Sequence, residues 1–175
     1  MPTWLSVTIL ALVLALVYWG MRQGWRRRER VSATTVPQVP AAPTELGTAR
    51  TEPLEATYVS STTAGDWLDR VSTHDLGVRS AAQVQVYDAG VLVRRNGAED
   101  VFVPAAQVRS VGTASGMAGK FMGRDGLVVL TWAPDAAPAD GPRLAPGLLV
   151  RHRADRPRLV EAVRTLVPAG AGGAA

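Results

Sequence analysis

The stretch QVQVYDAGVLVRRNGAEDVFVP, residues 83–104, carries the pattern that decides the fold. Polar and apolar side chains alternate over residues 83–87, which is typical of a β-strand with one buried face. Asp88-Ala89-Gly90 is a turn sequence, and Asn96-Gly97 is a strong hairpin signal because both residues accept positive φ. We therefore predict short strands at residues 83–87, 91–95 and 101–104.

Similar patterns extend outward on both sides of this stretch. The continuous apolar run LVVLTW, residues 127–132, predicts a strand that is covered on both faces. Pro146 and Gly147 indicate that the last strand lies at an edge or contains a bulge. The remaining predicted strands cover residues 54–62, 106–112 and 144–151.

The closing segment has a helical period instead. Pro157 suits a first helical turn, with Asp155 near the cap. Five apolar residues then form one stripe: Leu159, Val160, Val163, Leu166 and Val167. A second short helix is predicted at residues 66–72, where Trp67, Leu68 and Val71 would share a face.

The N-terminus predicts a membrane anchor. Residues 4–21, WLSVTILALVLALVYWGM, contain no charged side chain and just reach the roughly 20 apolar residues that a spanning helix needs. Trp4 lies at one end, and Tyr18, Trp19 and Trp25 lie near the other, as interfacial aromatic residues do. A cleaved signal peptide is the main alternative, but it would carry positive charge before the run and small residues after it.

Five arginines follow the apolar run: Arg22, Arg26, Arg27, Arg28 and Arg30. The positive-inside rule then predicts a short outer N-terminus and a cytoplasmic domain at the cell membrane. From Leu54 onward acidic and basic residues nearly balance, so the basic pI is juxtamembrane and does not predict nucleic-acid binding. The arginines act either as a topology signal only or also as a contact for anionic inner-leaflet lipids.

Composition divides the chain further. We predict an anchor over residues 1–22, a basic juxtamembrane segment and proline-rich linker over 23–53, one domain over 54–168 and a disordered tail over 169–175. About seven strands followed by an amphipathic helix predict a mainly β fold. Its form would be a small barrel with the helix closing one end.

Several segments together resemble a family of actinobacterial single-pass membrane proteins with a pleckstrin-homology-like (PH-like) domain. The resemblance covers nearly the whole chain and implies a PH-like barrel behind an N-terminal anchor. The segments that carry it are STTAGDWLDRVSTHDLGVRSAAQV (60–84), VFVPAAQV (101–108), GMAGKF (116–121), GLVVLTW (126–132) and RHRADR (151–156).

No motif predicts catalysis. The chain has no cysteine, and its two histidines, His74 and His152, are not set in a triad or zinc-ligand pattern. Residues 112–120, GTASGMAGK, lack the first glycine and the final Ser/Thr of a Walker A loop. The long connection at residues 63–82 lacks the basic cluster that phosphoinositide-binding PH domains often use. We therefore expect no enzyme activity and no cofactor or metal.

Residues 112–120 are interpreted either as a flexible connection between strands or as a contact loop. Glycines allow close approach, Lys120 offers charge, and Met117 and Phe121 offer apolar contact. The candidate contact residues for a partner or lipid are Gly116, Met117, Gly119, Lys120, Phe121 and Arg124. The sequence thus favours a membrane-tethered module that binds an unidentified protein or the inner leaflet. An accessory subunit of a membrane transport or enzyme complex is the alternative.

Overall fold

The computed structural model describes residues 12–22, 39–134 and 143–167. Residues 12–22 form a helix, α1, in a unit separate from the one that begins at Thr35. Within the described ranges, no helix combines the length and apolar character that crossing a membrane requires. Residues 4–11 of the predicted span lie outside the described residues, as do the predicted tail and most of the juxtamembrane segment.

The second unit is built on one antiparallel sheet of seven strands. Its order is β4-β3-β2-β1-β9-β8-β5, and a separate hairpin of β6 and β7 is inserted between β5 and β8. A ten-residue helix, α2, closes the chain at Asp155–Arg164. The strands are β1 (Leu54–Thr63), β2 (Ser80–Tyr87), β3 (Gly90–Arg95), β4 (Val101–Pro104), β5 (Val108–Ala114), β6 (Gly116–Met117), β7 (Lys120–Phe121), β8 (Leu127–Trp132) and β9 (Leu144–Val150).

The mainly β fold and its closing helix are thus confirmed. The predicted strands at 101–104 and 127–132 match β4 and β8 residue for residue. The turn at Asp88-Ala89 is also as predicted, and Gly90 is required there. A Cβ on Gly90 would lie 2.1 Å from the carbonyl oxygen of Val103, at a φ of +152°. Regular pairing of β3 with β4 stops at Val93 and Val101, so the connection between these strands is longer than the predicted two-residue turn at Asn96-Gly97.

The core lies between the bent sheet and α2. Alternating residues of the strands point inward, and Tyr58, Val84, Trp132 and Leu148 are among its buried side chains. From α2 and the turn after it, Leu159, Val163 and Leu166 are buried against these strands. The predicted apolar stripe therefore faces the core, and Val160 and Val167 pack at its margin.

The helix predicted at residues 66–72 is wrong. Residues 64–69 form turns, and only Thr73–Asp75 form a single 3-10 turn. The Asp66 carboxylate accepts hydrogen bonds from the backbone N–H groups of Leu68 and Asp69, which an Asx-turn and a helix N-cap have in common. The backbone also bonds to β1: the Val71 N–H donates to the Ser61 carbonyl oxygen at 3.0 Å.

Buried Arg95 holds this β1–β2 connection in place. Its guanidinium donates to the carbonyl oxygens of Asp75, Val78 and Glu99. It also lies 4.1 Å from the centre of the Tyr58 ring. A buried charge is costly unless its donors are satisfied, so the carbonyls stabilise Arg95 and Arg95 orders the connection.

The chain contacts the domain before the predicted boundary at Leu54. Residues 46–50 run beside the β2–β3 turn, with a β-bridge between Ala49 and Tyr87. The Asp88 carboxylate accepts from the Thr48 N–H at 3.0 Å and from Arg50 Nε at 2.8 Å. These two hydrogen bonds hold the pKa of Asp88 below its ordinary value, and the bond from Arg50 has the larger effect. The end of the linker therefore belongs structurally with the domain.

Candidate interaction surface

The segment predicted as a contact loop is a tight hairpin rather than a flexible connection. Gly116 pairs with Phe121 and Met117 pairs with Lys120, which leaves a two-residue turn of Ala118 and Gly119. Both turn residues have positive φ, 50° and 76°, as a type I′ turn requires. The turn holds β6 and β7 close together and fixes which side chains point outward.

Met117 does not offer the exposed apolar contact that the sequence predicted. It is only 2% exposed and packs in a small cluster with Val59 and Leu127. Its thioether lies against Gly147, where a Cβ would meet the sulfur at 2.6 Å. A flexible thioether fills such an irregular gap well. Met117 therefore anchors the hairpin to the partial barrel that the seven-stranded sheet forms.

Phe121, in contrast, is 79% exposed and lies beside an aromatic residue that is not among the predicted contact residues. Trp67 is 55% exposed, and the two residues line one cleft of about 320 Å³ with Gly116, Gly119 and Lys120. The Ala118 N–H donates to the Trp67 carbonyl oxygen at 2.7 Å, which ties the hairpin to the β1–β2 connection. Leu68, 59% exposed, follows in the chain.

We call Trp67, Leu68, Lys120, Phe121 and Arg124 the hairpin patch. It combines three exposed large apolar side chains with two exposed cations. Nearby carboxylates already accept hydrogen bonds within the domain: Asp66 from backbone N–H groups and Asp125 from the Thr113 hydroxyl at 3.0 Å. The sequence signal for the missed part was the Trp-Leu pair in an otherwise polar connection.

The other predicted contact residues are only partly within the described chain. Arg22 is exposed at the end of α1, while Arg26, Arg27, Arg28 and Arg30 lie outside the described residues. In the described ranges, no group of three or more His, Asp or Glu side chains could hold a metal ion. His74 has a positive φ of 52° in the 3-10 turn, and His152 is exposed beyond β9.

Comparison with known proteins identifies the class of domain. A family model described as "Bacterial PH domain-like" matches residues 36–164. The match covers most of the chain, so the protein belongs to this family. No curated protein and no solved structure matches the chain significantly. The match begins before residues 46–50, in agreement with their contacts to the barrel.

Proposed function

We propose that this protein is a membrane-tethered, cytoplasmic interaction module without catalysis of its own. Its PH-like domain binds a protein partner or the inner-leaflet surface through the hairpin patch. PH-like folds serve many functions, so the proposal depends on the site rather than on the fold. The observation that carries it is the exposure of Phe121 and Trp67 at one cleft.

Physical chemistry supports a contact role for this patch. Exposed aromatic residues supply most of the binding energy in many interfaces and also sit well at the boundary of a bilayer. Lys120 and Arg124 add positive charge at its edge, which favours acidic partners or anionic headgroups. Met117 and the Trp67–Ala118 hydrogen bond hold the surface in shape before binding, which lowers the entropy cost of association.

The proposed contact predicts a specific loss of binding. Lys120→Glu with Phe121→Ser should reduce capture of the partner from solubilised membranes by at least about tenfold, the size of effect that hot-spot residues produce. The measurement is quantitative mass spectrometry of material that co-purifies with the full chain. Because both side chains are exposed, the melting temperature should stay nearly unchanged.

A matched control uses Val78→Ser with Arg79→Glu, which also removes one exposed apolar residue and reverses one exposed charge. Equal capture by both double variants would place the contact elsewhere. Binding to phosphatidylglycerol vesicles, measured in parallel, separates a lipid surface from a protein partner. Recovery of a stoichiometric membrane complex would instead favour the accessory-subunit alternative.

The proposed topology has its own test. The uncharged N-terminal run and the arginines after it predict an outer N-terminus and a cytoplasmic domain. A reporter that is active only in the cytoplasm should therefore work when fused after Ala175, and one that requires export should stay silent. The opposite pattern contradicts the proposal. Replacing Arg26, Arg27 and Arg28 with Glu should weaken the orientation.

A further inference from the structure

A second and larger cleft, of about 930 Å³, lies on the outer face of the main sheet. It shares no residue with the hairpin patch. We call it the arginine cleft and define it by the polar side chains that the argument uses: Glu55, Gln83, Arg94, Arg151 and Arg156. They come from β1, β2, β3, the end of β9 and the start of α2.

Strand register brings four of these residues into one row. Gln83 pairs with Glu55 on one side and with Arg94 on the other. The Arg151 N–H donates to the Glu55 carbonyl oxygen at 2.9 Å, which continues the row onto the end of β9. At the usual spacing between strands, the backbones of Arg94 and Arg151 are about 14 Å apart. Two long basic side chains thus flank the same stretch of sheet.

The floor of the cleft is formed by Ala81, Thr57 and Leu149, which lie in one row across β2, β1 and β9. Ala81 and Thr57 pair with each other two residues along β2 and β1 from the pair of Gln83 and Glu55, and both line the same cleft. Asn96 adds a side-chain amide at the end of β3. A ligand lying on this floor would meet hydrogen-bond donors at both sides.

The charges in the cleft are unbalanced. Arg94 is exposed and forms no ion pair with any described residue. Arg151 pairs with Glu55 at 2.9 Å, and Arg156 Nη1 donates to the Asp125 carbonyl oxygen at 3.0 Å. Arg156 Nε is buried with no hydrogen-bond acceptor in the described structure. Besides buried Arg95, three arginines and one glutamate therefore line the cleft, in a domain that is otherwise close to neutral.

We propose that the arginine cleft binds a phosphate-bearing ligand. The planar guanidinium donates two parallel hydrogen bonds to phosphate oxygens, and exposed Arg94 has such donors available. The Glu55 carboxylate orients Arg151 but also repels an anion, so the site binds phosphate less tightly than it would without this carboxylate. A soluble phosphate compound and a phospholipid headgroup share this chemistry. The proposal does not depend on the hairpin patch.

The test is an NMR titration of the isotopically labelled full chain in maltoside detergent, followed at the amides of Gln83, Arg94 and Arg151. Pyrophosphate represents a soluble phosphate, and glycerophosphoglycerol represents the headgroup of phosphatidylglycerol. We expect saturable shifts at these amides with at least one of the two probes. The tighter-binding probe identifies the source of the phosphate.

Three variants make the result specific. Arg94→Glu should weaken binding by at least about tenfold, since it removes one charged donor and adds a repulsive charge. Glu55→Gln should tighten binding severalfold, because it removes the competing carboxylate. Arg143→Glu makes the same charge reversal at an exposed residue just before β9, outside both the cleft and the hairpin patch, and should leave binding unchanged.

The proposal is overturned if neither probe gives saturable shifts at these amides. It is also overturned if Arg143→Glu weakens binding as much as Arg94→Glu, because the effect would then be one of overall charge. Arg94→Gln, which removes the charge but keeps an exposed polar side chain, replaces Arg94→Glu if that variant loses its dispersed amide spectrum. Loss of partner capture through the hairpin patch does not change these expectations.

Discussion

Single residues in this domain are placed by hydrogen-bond requirements as much as by hydrophobicity. Tyr58 is fully buried, yet its hydroxyl bonds with Ser61 Oγ at 2.7 Å and donates to the Leu76 carbonyl oxygen at 3.1 Å. Burial raises the pKa of Tyr58 to about 12, against the opposing effects of the Ser61 hydrogen bond and the charges of Arg95 and Arg70. The native state therefore favours the neutral phenol.

This shift predicts a loss of stability in alkaline solution. Since the folded pKa exceeds the unfolded value of about 10, the contribution is present below pH 10 and is lost as the pH rises toward 12. Between pH 9 and pH 11.5 the free energy of unfolding should fall by about 2 kcal/mol from this residue alone. Urea unfolding at pH 9 and pH 11.5 measures it. Tyr58→Phe should fall less over the same interval; an equal fall would show that other groups cause it.

At the scale of elements, α2 and the β6–β7 hairpin both depend on a buried side chain. Leu159 and Val163 of α2 are almost completely buried, and Met117 is the buried residue of the hairpin. Each element is too short to be stable alone, since isolated helices below about 12 residues and isolated hairpins are marginal in water. Packing against the barrel therefore supplies their stability.

Truncation of the helix stripe should show this dependence. Leu159→Ala and Leu166→Ala should each lower the free energy of unfolding by about 2–5 kcal/mol, the usual cost of a large-to-small change in a core. Chemical denaturation gives the value. Arg158→Ala, on the exposed side of the same helix, should change it by less than about 0.5 kcal/mol. A small effect of Leu159→Ala would mean that α2 does not close the barrel.

For the molecule as a whole, the domain includes residues that look like linker. Arg50 N–H donates to the Val86 carbonyl oxygen at 2.8 Å, and Ala89 N–H donates to the Leu46 carbonyl oxygen at 3.0 Å. Arg50 also reaches Thr165 Oγ1 at 2.8 Å, beyond the end of α2. Residues 46–50 thus connect the β2–β3 turn with the C-terminal segment.

Two fragments test this boundary. A fragment of residues 36–168 should fold into soluble, β-rich protein, and one of residues 54–168 should be less stable by at least about 1 kcal/mol. The shorter fragment loses several backbone hydrogen bonds, each worth about 0.5–1.5 kcal/mol net. Urea unfolding followed by far-UV circular dichroism compares them. Equal stability would return the boundary to Leu54, and a helix-dominated spectrum would contradict the fold.

The sequence by itself determined the elements whose signal is local. The alternation before Asp88, the run at residues 127–132 and the stripe from Leu159 each repeat with the period of the structure they form. The segment Gly116–Phe121 was predicted as a flexible connection or a contact loop, and the tight hairpin that it forms was not foreseen. Its membrane context and its partner stay proposals.

Only the tertiary structure decided which of these residues face solvent and which segments join the domain. Met117 became core because Gly147, distant in sequence, leaves room for its thioether. Residues 66–72 form a turn because their backbone makes hydrogen bonds to β1. Trp67 lies at the hairpin because its carbonyl oxygen accepts one backbone hydrogen bond from Ala118. The arginine cleft arises from strand register. Such contacts join residues far apart in the chain, so no local period or propensity encodes them.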